Sequence, residues 1–162
     1  MFSIGERVVH PMHGAGVIDD IVEERIAGVR QQYYVFKMPV GGLILKIPTA
    51  NSEVIGLRTI ITSAEANALL NAIPALETES TANWNKRYQE NMQRLKSGDL
   101  YEVSRVIKAL VHRDRQRGLS TGERKMLHSA RQILLSELVL STERERKDVE
   151  AQLDHAMIQT QG

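Results

Sequence analysis

The segment Asn83-Trp84-Asn85-Lys86-Arg87-Tyr88 holds the only tryptophan of the chain and surrounds it with amides and cations. A lone indole near a helix start is commonly a core anchor. Amide and cationic neighbours instead suit phosphates and base edges, and an exposed aromatic among them makes a stacking platform or a wedge. Both readings of Trp84 stand on the residues alone. A second basic stretch, His112-Arg113-Asp114-Arg115-Gln116-Arg117, is followed by Arg124 and Lys125. Such a cluster is either a solvated helix face or, if the link Gly118-Leu119-Ser120 folds one basic turn onto the next, a single cationic patch at a helix N-terminus, where free N–H groups also attract anions. Trp84, Asn85, Lys86, Arg87, Arg113, Arg117, Arg124 and Lys125 are therefore the candidate nucleic-acid ligands.

Other chemistry finds little support. His10 and His13 flank Pro11-Met12 on a turn, with acids only downstream at Asp19 and Asp20, so an architectural loop is the simpler reading than a metal site. No nucleophile elbow, phosphate-binding glycine loop, dinucleotide fingerprint or zinc-protease motif is present. Neither enzyme activity nor a cofactor or metal is expected. The absence of cysteine excludes disulfides and thiolate chemistry. No apolar run approaches the roughly 18 residues of a membrane span, and the first residues do not read as a secretory signal. A cytoplasmic, monomeric protein is expected.

Net charge is +1, but it is unevenly spread. Residues 1–60 carry 6 basic and 6 acidic side chains, residues 61–82 carry 3 acids and no base, residues 83–131 carry 12 bases and 5 acids, and residues 132–162 carry 3 bases and 6 acids. The middle stretch, at +7, calls for a polyanionic partner.

The elements that must position these groups change character along the chain. Residues 1–60 alternate short β-branched or aromatic runs with Gly and Pro: Arg7 to His10, Gly16 to Ala27, Tyr33 to Phe36 and Leu43 to Ile47. They predict a small SH3- or Tudor-like β barrel, with Gly14 and Gly16 placed for a bulge or a positive-φ turn. Residues 61–82 predict a short helix capped by Ser63 and stopped by Pro74, then a polar linker Glu77-Thr78-Glu79-Ser80-Thr81. Residues 83–162 predict a compact helical bundle. One helix runs from Asn83 to Lys96, and another starts at Asp99 with Leu100, Val103, Val106, Ile107, Leu110 and Val111 on one face. A third opens with a Ser120–Glu123 capping box. The last carries Val149, Leu153, Ala156 and Met157 and frays from Gln159 to Gly162. The fold class is thus mixed β and α, a barrel followed by a helical domain.

Taken in order, these motifs resemble a known family. Met1-Phe2-Ser3-Ile4-Gly5-Glu6-Arg7-Val8-Val9-His10-Pro11-Met12-His13-Gly14-Ala15-Gly16 resembles the opening of the RNA polymerase-interacting domain shared by CarD/CdnL regulators and transcription-repair coupling factors. Asn83-Trp84, Arg87-Tyr88, Ser97-Gly98-Asp99, Arg113-Asp114, Arg117-Gly118-Leu119-Ser120, Gly122-Glu123 and Ala130 to Leu134 resemble the helical DNA-binding domain that only the CarD/CdnL branch carries. The likeness spans about residues 1–140. It implies docking on the polymerase β subunit by strand addition, through Arg25, Lys46, Ile47 and Pro48, with Glu24 standing where a base is usual. It also implies that Trp84 is a minor-groove wedge at the upstream edge of the melted −10 element, flanked by phosphate contacts at Lys86 and Arg87. Gln89 and His10 replace a more usual base and tyrosine. The alternative is a polymerase-docking adaptor whose helices bind another protein.

Overall fold

The computed structural model describes residues 1–78 and 83–159. Five antiparallel strands form one sheet: β1 (Arg7–His10), β2 (Gly14–Ile26), β3 (Val29–Lys37), β4 (Ile44–Pro48) and β5 (Arg58–Thr59), in the order β4-β3-β2-β1-β5. Local backbone causes end β1 and β2. Pro11 follows β1, and Ala27 and Gly28, both at positive φ, turn β2 into β3 so that Ile26 faces Val29. Alternation then sets the core: Val8, Ile18, Tyr34, Phe36 and Ile47 point inward and pack with Met38 and Leu57. The register shift of the β2–β3 ladder falls between Ile18 and Asp20, not at Gly14 or Gly16. Gly14 fits the positive-φ alternative, whereas Gly16 answers to space. Gly14 has φ +111°, and a Cβ on Gly16 would lie 2.4 Å from the Lys37 carbonyl oxygen and 2.6 Å from the Phe36 ring.

The ladder ends at β4 and β5, so both present an edge without a partner strand among the described residues. Between β4 and β5 lies one helical turn, α1 (Ser52–Ile55), closed by Gly56 in the left-handed region.

Five longer helices form the second body: α2 (Ser63–Ala72), α3 (Trp84–Lys96), α4 (Leu100–Gln116), α5 (Thr121–Thr142) and α6 (Arg146–Ile158). The predicted periodicities hold for α4 and α6, whose Val103, Ile107, Val149, Leu153, Ala156 and Met157 join Ala130, Leu134, Leu135 and Leu138 of α5 in the main core. Helix α2 adds Ala66, Leu69 and Leu70 to that core, with Ile73 just past its end, so it belongs to the helical body and is more than a connector. Its N-cap is Thr62 rather than Ser63, and a complete capping box with Glu65 is found there. Past α2, a 3-10 turn over Ile73–Ala75 carries Pro74, and the buried Lys108 of α4 donates to the carbonyls of Ile73, Pro74 and Leu76 at 2.9, 2.8 and 3.0 Å. The ammonium thus gathers carbonyls at the end of the helix, where intrahelical donors run out, and shares that of Ile73 with the Leu76 amide. The predicted linker residues Glu79, Ser80 and Thr81, and residues 160–162 of the predicted frayed end, lie outside the described residues.

The second half of α5 lies on the sheet. The amide of Ala15 donates to Ser136 Oγ at 2.8 Å, and Arg58 clasps the buried Glu137 carboxylate with both terminal nitrogens at 2.8 and 2.7 Å. The Ile61 amide donates to the same carboxylate, and Arg7 donates to the Leu140 carbonyl and to Glu143, each at 2.7 Å.

Candidate nucleic-acid interface

Helices α3 and α5 bring their N-termini to one corner, and Trp84 sits in it. Asn83 caps α3 by accepting from the Lys86 amide at 3.2 Å, and Ser120 caps α5 by accepting from the Glu123 amide at 3.2 Å. The indole Nε1–H donates to Ser120 Oγ at 3.1 Å, and the ring stacks on Tyr88, with centroids 5.1 Å apart and planes at 20°. Gly122 lies against both rings, 3.5 Å from Tyr88 and 3.8 Å from Trp84 measured from where its Cβ would be. Trp84 is nevertheless 43% exposed. One side of the indole is thus anchored and the rest faces solvent.

Beneath the indole lies a buried ion pair. Arg87 Nε and Nη2 donate to Glu123 at 2.9 and 3.3 Å, Arg87 is only 7% exposed, and Glu123 is 2% exposed. This corrects the expectation for Arg87, whose guanidinium is turned away from solvent and braces the Trp84 corner instead of offering itself to phosphate. Helical phase explains why. Tyr88, Met92 and Leu95 form the inward stripe of α3, and Arg87 and Asn91 lie beside it and are buried with it. Burial by itself would raise the Glu123 pKa, but the hydrogen bonds and charge of Arg87, with the Ser120 hydroxyl and the charge of Arg113, outweigh it and hold the carboxyl below its ordinary value. The predicted capping box is correspondingly incomplete: Ser120 serves the Glu123 amide, while the carboxylate meets Arg87 and the Ser120 hydroxyl rather than the Ser120 amide.

The remaining candidates divide. Arg113 is half-buried with its Nε 4.0 Å from Glu123, part of the same support. Asn85, Lys86, Arg117, Arg124 and Lys125 are exposed, and each lies within five residues of the corner along the chain. Lys86, Arg117, Arg124 and Lys125 form no ion pair among the described residues, and Arg124 Nε donates to the Leu119 carbonyl at 3.2 Å. Elsewhere the local charge excess is partly spent internally: Arg94 and Arg105 face Glu102, Arg131 binds Asp154 and Glu150, and Lys108 is buried. Sequence reasoning missed Ser120 as a partner of Trp84, although its identity as a helix cap placed it at the right corner.

On the sheet, Arg25 and Lys46 are exposed, and Lys46 is ion-paired with Glu24. Ile47 is 4% exposed and belongs to the sheet core, so its side chain is not a surface group as expected; Pro48 is half-buried. At position 47, then, β4 presents backbone, and its exposed side chains are those of Ile44 and Lys46. His10 and His13 place their rings 4.6 Å apart, and His10 Nδ1 accepts from the Met12 amide at 3.0 Å. Burial, and then the charge of His13, lowers the His10 pKa. No group of three or more potential metal ligands occurs among the described residues, and no described helix is long and apolar enough to cross a membrane.

Comparison with known families divides the chain much as the two bodies do. Residues 2–61 match a model described as the CarD-like/TRCF RID domain, and residues 68–154 match one described as the C-terminal domain of CarD. The chain belongs to the CarD family. A relative from Bacillus subtilis (strain 168), named "Putative transcription factor YdeB", is 32% identical over 138 residues, covering 85% of this chain and 90% of that protein. CarD membership makes this an RNA polymerase-interacting transcription factor, a role that is not enzymatic.

Proposed function

We propose that this CarD protein docks on the polymerase β subunit through the β4 edge and stabilises the open promoter complex by sequence-tolerant contact of Trp84 with DNA at the upstream edge of the bubble. The observation that carries this reading is the mounting of Trp84: a large ring 43% exposed, yet braced by Tyr88, Ser120 and the Arg87–Glu123 pair, amid exposed Lys86, Arg117, Arg124 and Lys125. A cationic corner of this size binds free duplex weakly and with a steep salt dependence. Docking compensates, because tethering raises the local concentration to roughly millimolar. Base–aromatic stacking contributes about 1–3 kcal/mol, and only where the duplex is open. That is differential binding, and it shifts the closed–open equilibrium by roughly 5- to 150-fold.

Trp84→Ala should retain polymerase binding and lose the gain in open-complex lifetime, measured with purified polymerase at two salt concentrations. An unchanged lifetime would overturn the wedge. On the sheet, Lys46→Glu places two carboxylates where the Lys46–Glu24 pair now stands, so binding to a β-subunit fragment should weaken; wild-type retention in a pull-down would remove that surface from consideration.

One observation favours the alternative of a protein partner for the helices. A groove of about 340 Å³, lined by Tyr88, Met92, Leu95, Met126 and Ile133, opens beside the Trp84 corner. Salt-dependent crosslinking of DNA to Lys86 and Lys125 supports the DNA reading, and its absence supports the adaptor.

A further inference from the structure

Trp84 has one polar atom, the indole N–H, and that atom is already engaged by Ser120 Oγ at 3.1 Å. We propose that Ser120 is a positioning and specificity-determining residue: it fixes the indole plane on Tyr88 and, by occupying the N–H, leaves the ring only apolar surface to present to nucleic acid. The inference rests on the wedge reading and explains one property of it, tolerance of sequence.

The geometry separates Ser120 from a residue that merely caps a helix. Its hydroxyl oxygen accepts from both the Glu123 amide and the Trp84 indole, at 3.2 and 3.1 Å, while its proton is directed to Glu123 Oε1 at 3.2 Å. The carboxylate that receives this proton is in turn held by Arg87 Nε at 2.9 Å. A hydroxyl has one proton and two lone pairs, so donation to Glu123 leaves both lone pairs to be taken by N–H groups. The orientation of the indole is thereby tied, through Ser120, to a buried ion pair. An indole N–H released from this contact would be free to donate to N3 of adenine or O2 of thymine in the minor groove, acceptors whose pattern separates A·T from G·C pairs. With Ser120 in place the wedge contributes stacking, which every base supplies.

The test uses the full-length protein and its single tryptophan. Ser120→Gly removes the hydroxyl, and glycine is well tolerated at a helix N-cap; Ser120→Thr restores a hydroxyl at the same position. In Ser120→Gly the steady-state anisotropy of Trp84 fluorescence should fall. The open-complex lifetime should shorten by about 2- to 10-fold, the span of one lost hydrogen bond, and lifetimes should diverge between promoters with A·T and G·C pairs at the upstream bubble edge. Ser120→Thr should return all three toward wild type. Wild-type anisotropy in Ser120→Gly overturns the positioning role, and equal lifetime loss at A·T and G·C promoters overturns the specificity role. Failure of the wedge itself is separately visible, because Trp84→Ala would then leave the lifetime untouched.

Discussion

Arg87 and Trp84 lie three residues apart in one basic, aromatic segment, and the fold sends them to opposite duties. The sequence presents Arg87 as a surface cation; the structure makes it the partner of Glu123, 36 residues further on. No local pattern encodes that pairing, because it depends on how α3 docks on α5. Part of the signal was nevertheless legible, since the stripe Tyr88, Met92, Leu95 fixes the inward side of α3 and Arg87 borders it. The pair also sets an acid limit. Glu123 titrates below its ordinary value of 4.5 in the folded protein, so the folded state holds its proton less tightly than the unfolded chain does. Its contribution is fully present above that ordinary value and is lost as pH falls through the lower folded value. Glu123→Gln, which removes the charge facing a buried guanidinium, should cost on the order of 3 kcal/mol at neutral pH. In urea titrations the gap between mutant and wild type should narrow as the pH drops below 4.5; a constant gap would show that the carboxylate charge is not the stabilising element. His10 acts in the same direction nearer neutrality: its lowered pKa means that stability declines as pH falls below 6.5.

Among elements, the boundaries readable from the sequence are those with local causes. Strand β1 stops at Pro11, α3 begins after Asn83, and α4 begins after Asp99, whose side chain accepts from the Tyr101 amide. What escaped was set by partners distant in sequence. The glycines at 14 and 16 read as bulge or positive-φ residues, which Gly14 is, but the close approach of other elements at both has no local signal. A Cβ at Gly14 would stand 2.4 Å from Ser136 Oγ and 3.4 Å from the Ile133 Cα of α5, and the residue also holds φ +111°. Gly14→Ala should therefore destabilise by about 1–3 kcal/mol from backbone strain alone, with more from the clash. Ser136→Ala removes the oxygen in the way but also the acceptor of the Ala15 amide, so the comparison is a double-mutant cycle: Gly14→Ala should cost less in the Ser136→Ala background than in wild type. An equal cost in both backgrounds in thermal melts would show that the close approach of β2 and α5 is not what Gly14 provides.

For the molecule as a whole, the sequence suggested a barrel and a bundle in series, and the two family matches preserve that division. The fold qualifies it through α5. The first turn of α5 carries Glu123 and, at its cap, Ser120, the residues that hold Trp84; its later turns carry Ser136, Glu137 and Leu140, the partners of Ala15, Arg58 and Arg7. Sixteen residues of helix between Ser120 and Ser136 span about 24 Å at 1.5 Å per residue. Under the proposed docking through the sheet, this rigid spacing would set where the indole stands, which a flexible tether could not do. Glu137→Ala, which leaves Arg58 without its carboxylate, should keep polymerase binding and the Trp84 corner intact yet shorten the open complex; retention of full lifetime would show that the spacing is not transmitted through this contact.

The same helix has a calorimetric consequence. Because α5 contributes Leu134, Leu135 and Leu138 to the helical core and Glu137 to the sheet contact, melting either body strips the other of buried partners. The cooperative unit is then the whole chain. Differential scanning calorimetry should record one transition, with van't Hoff and calorimetric enthalpies in agreement, from a protein whose sequence matches two separate domains.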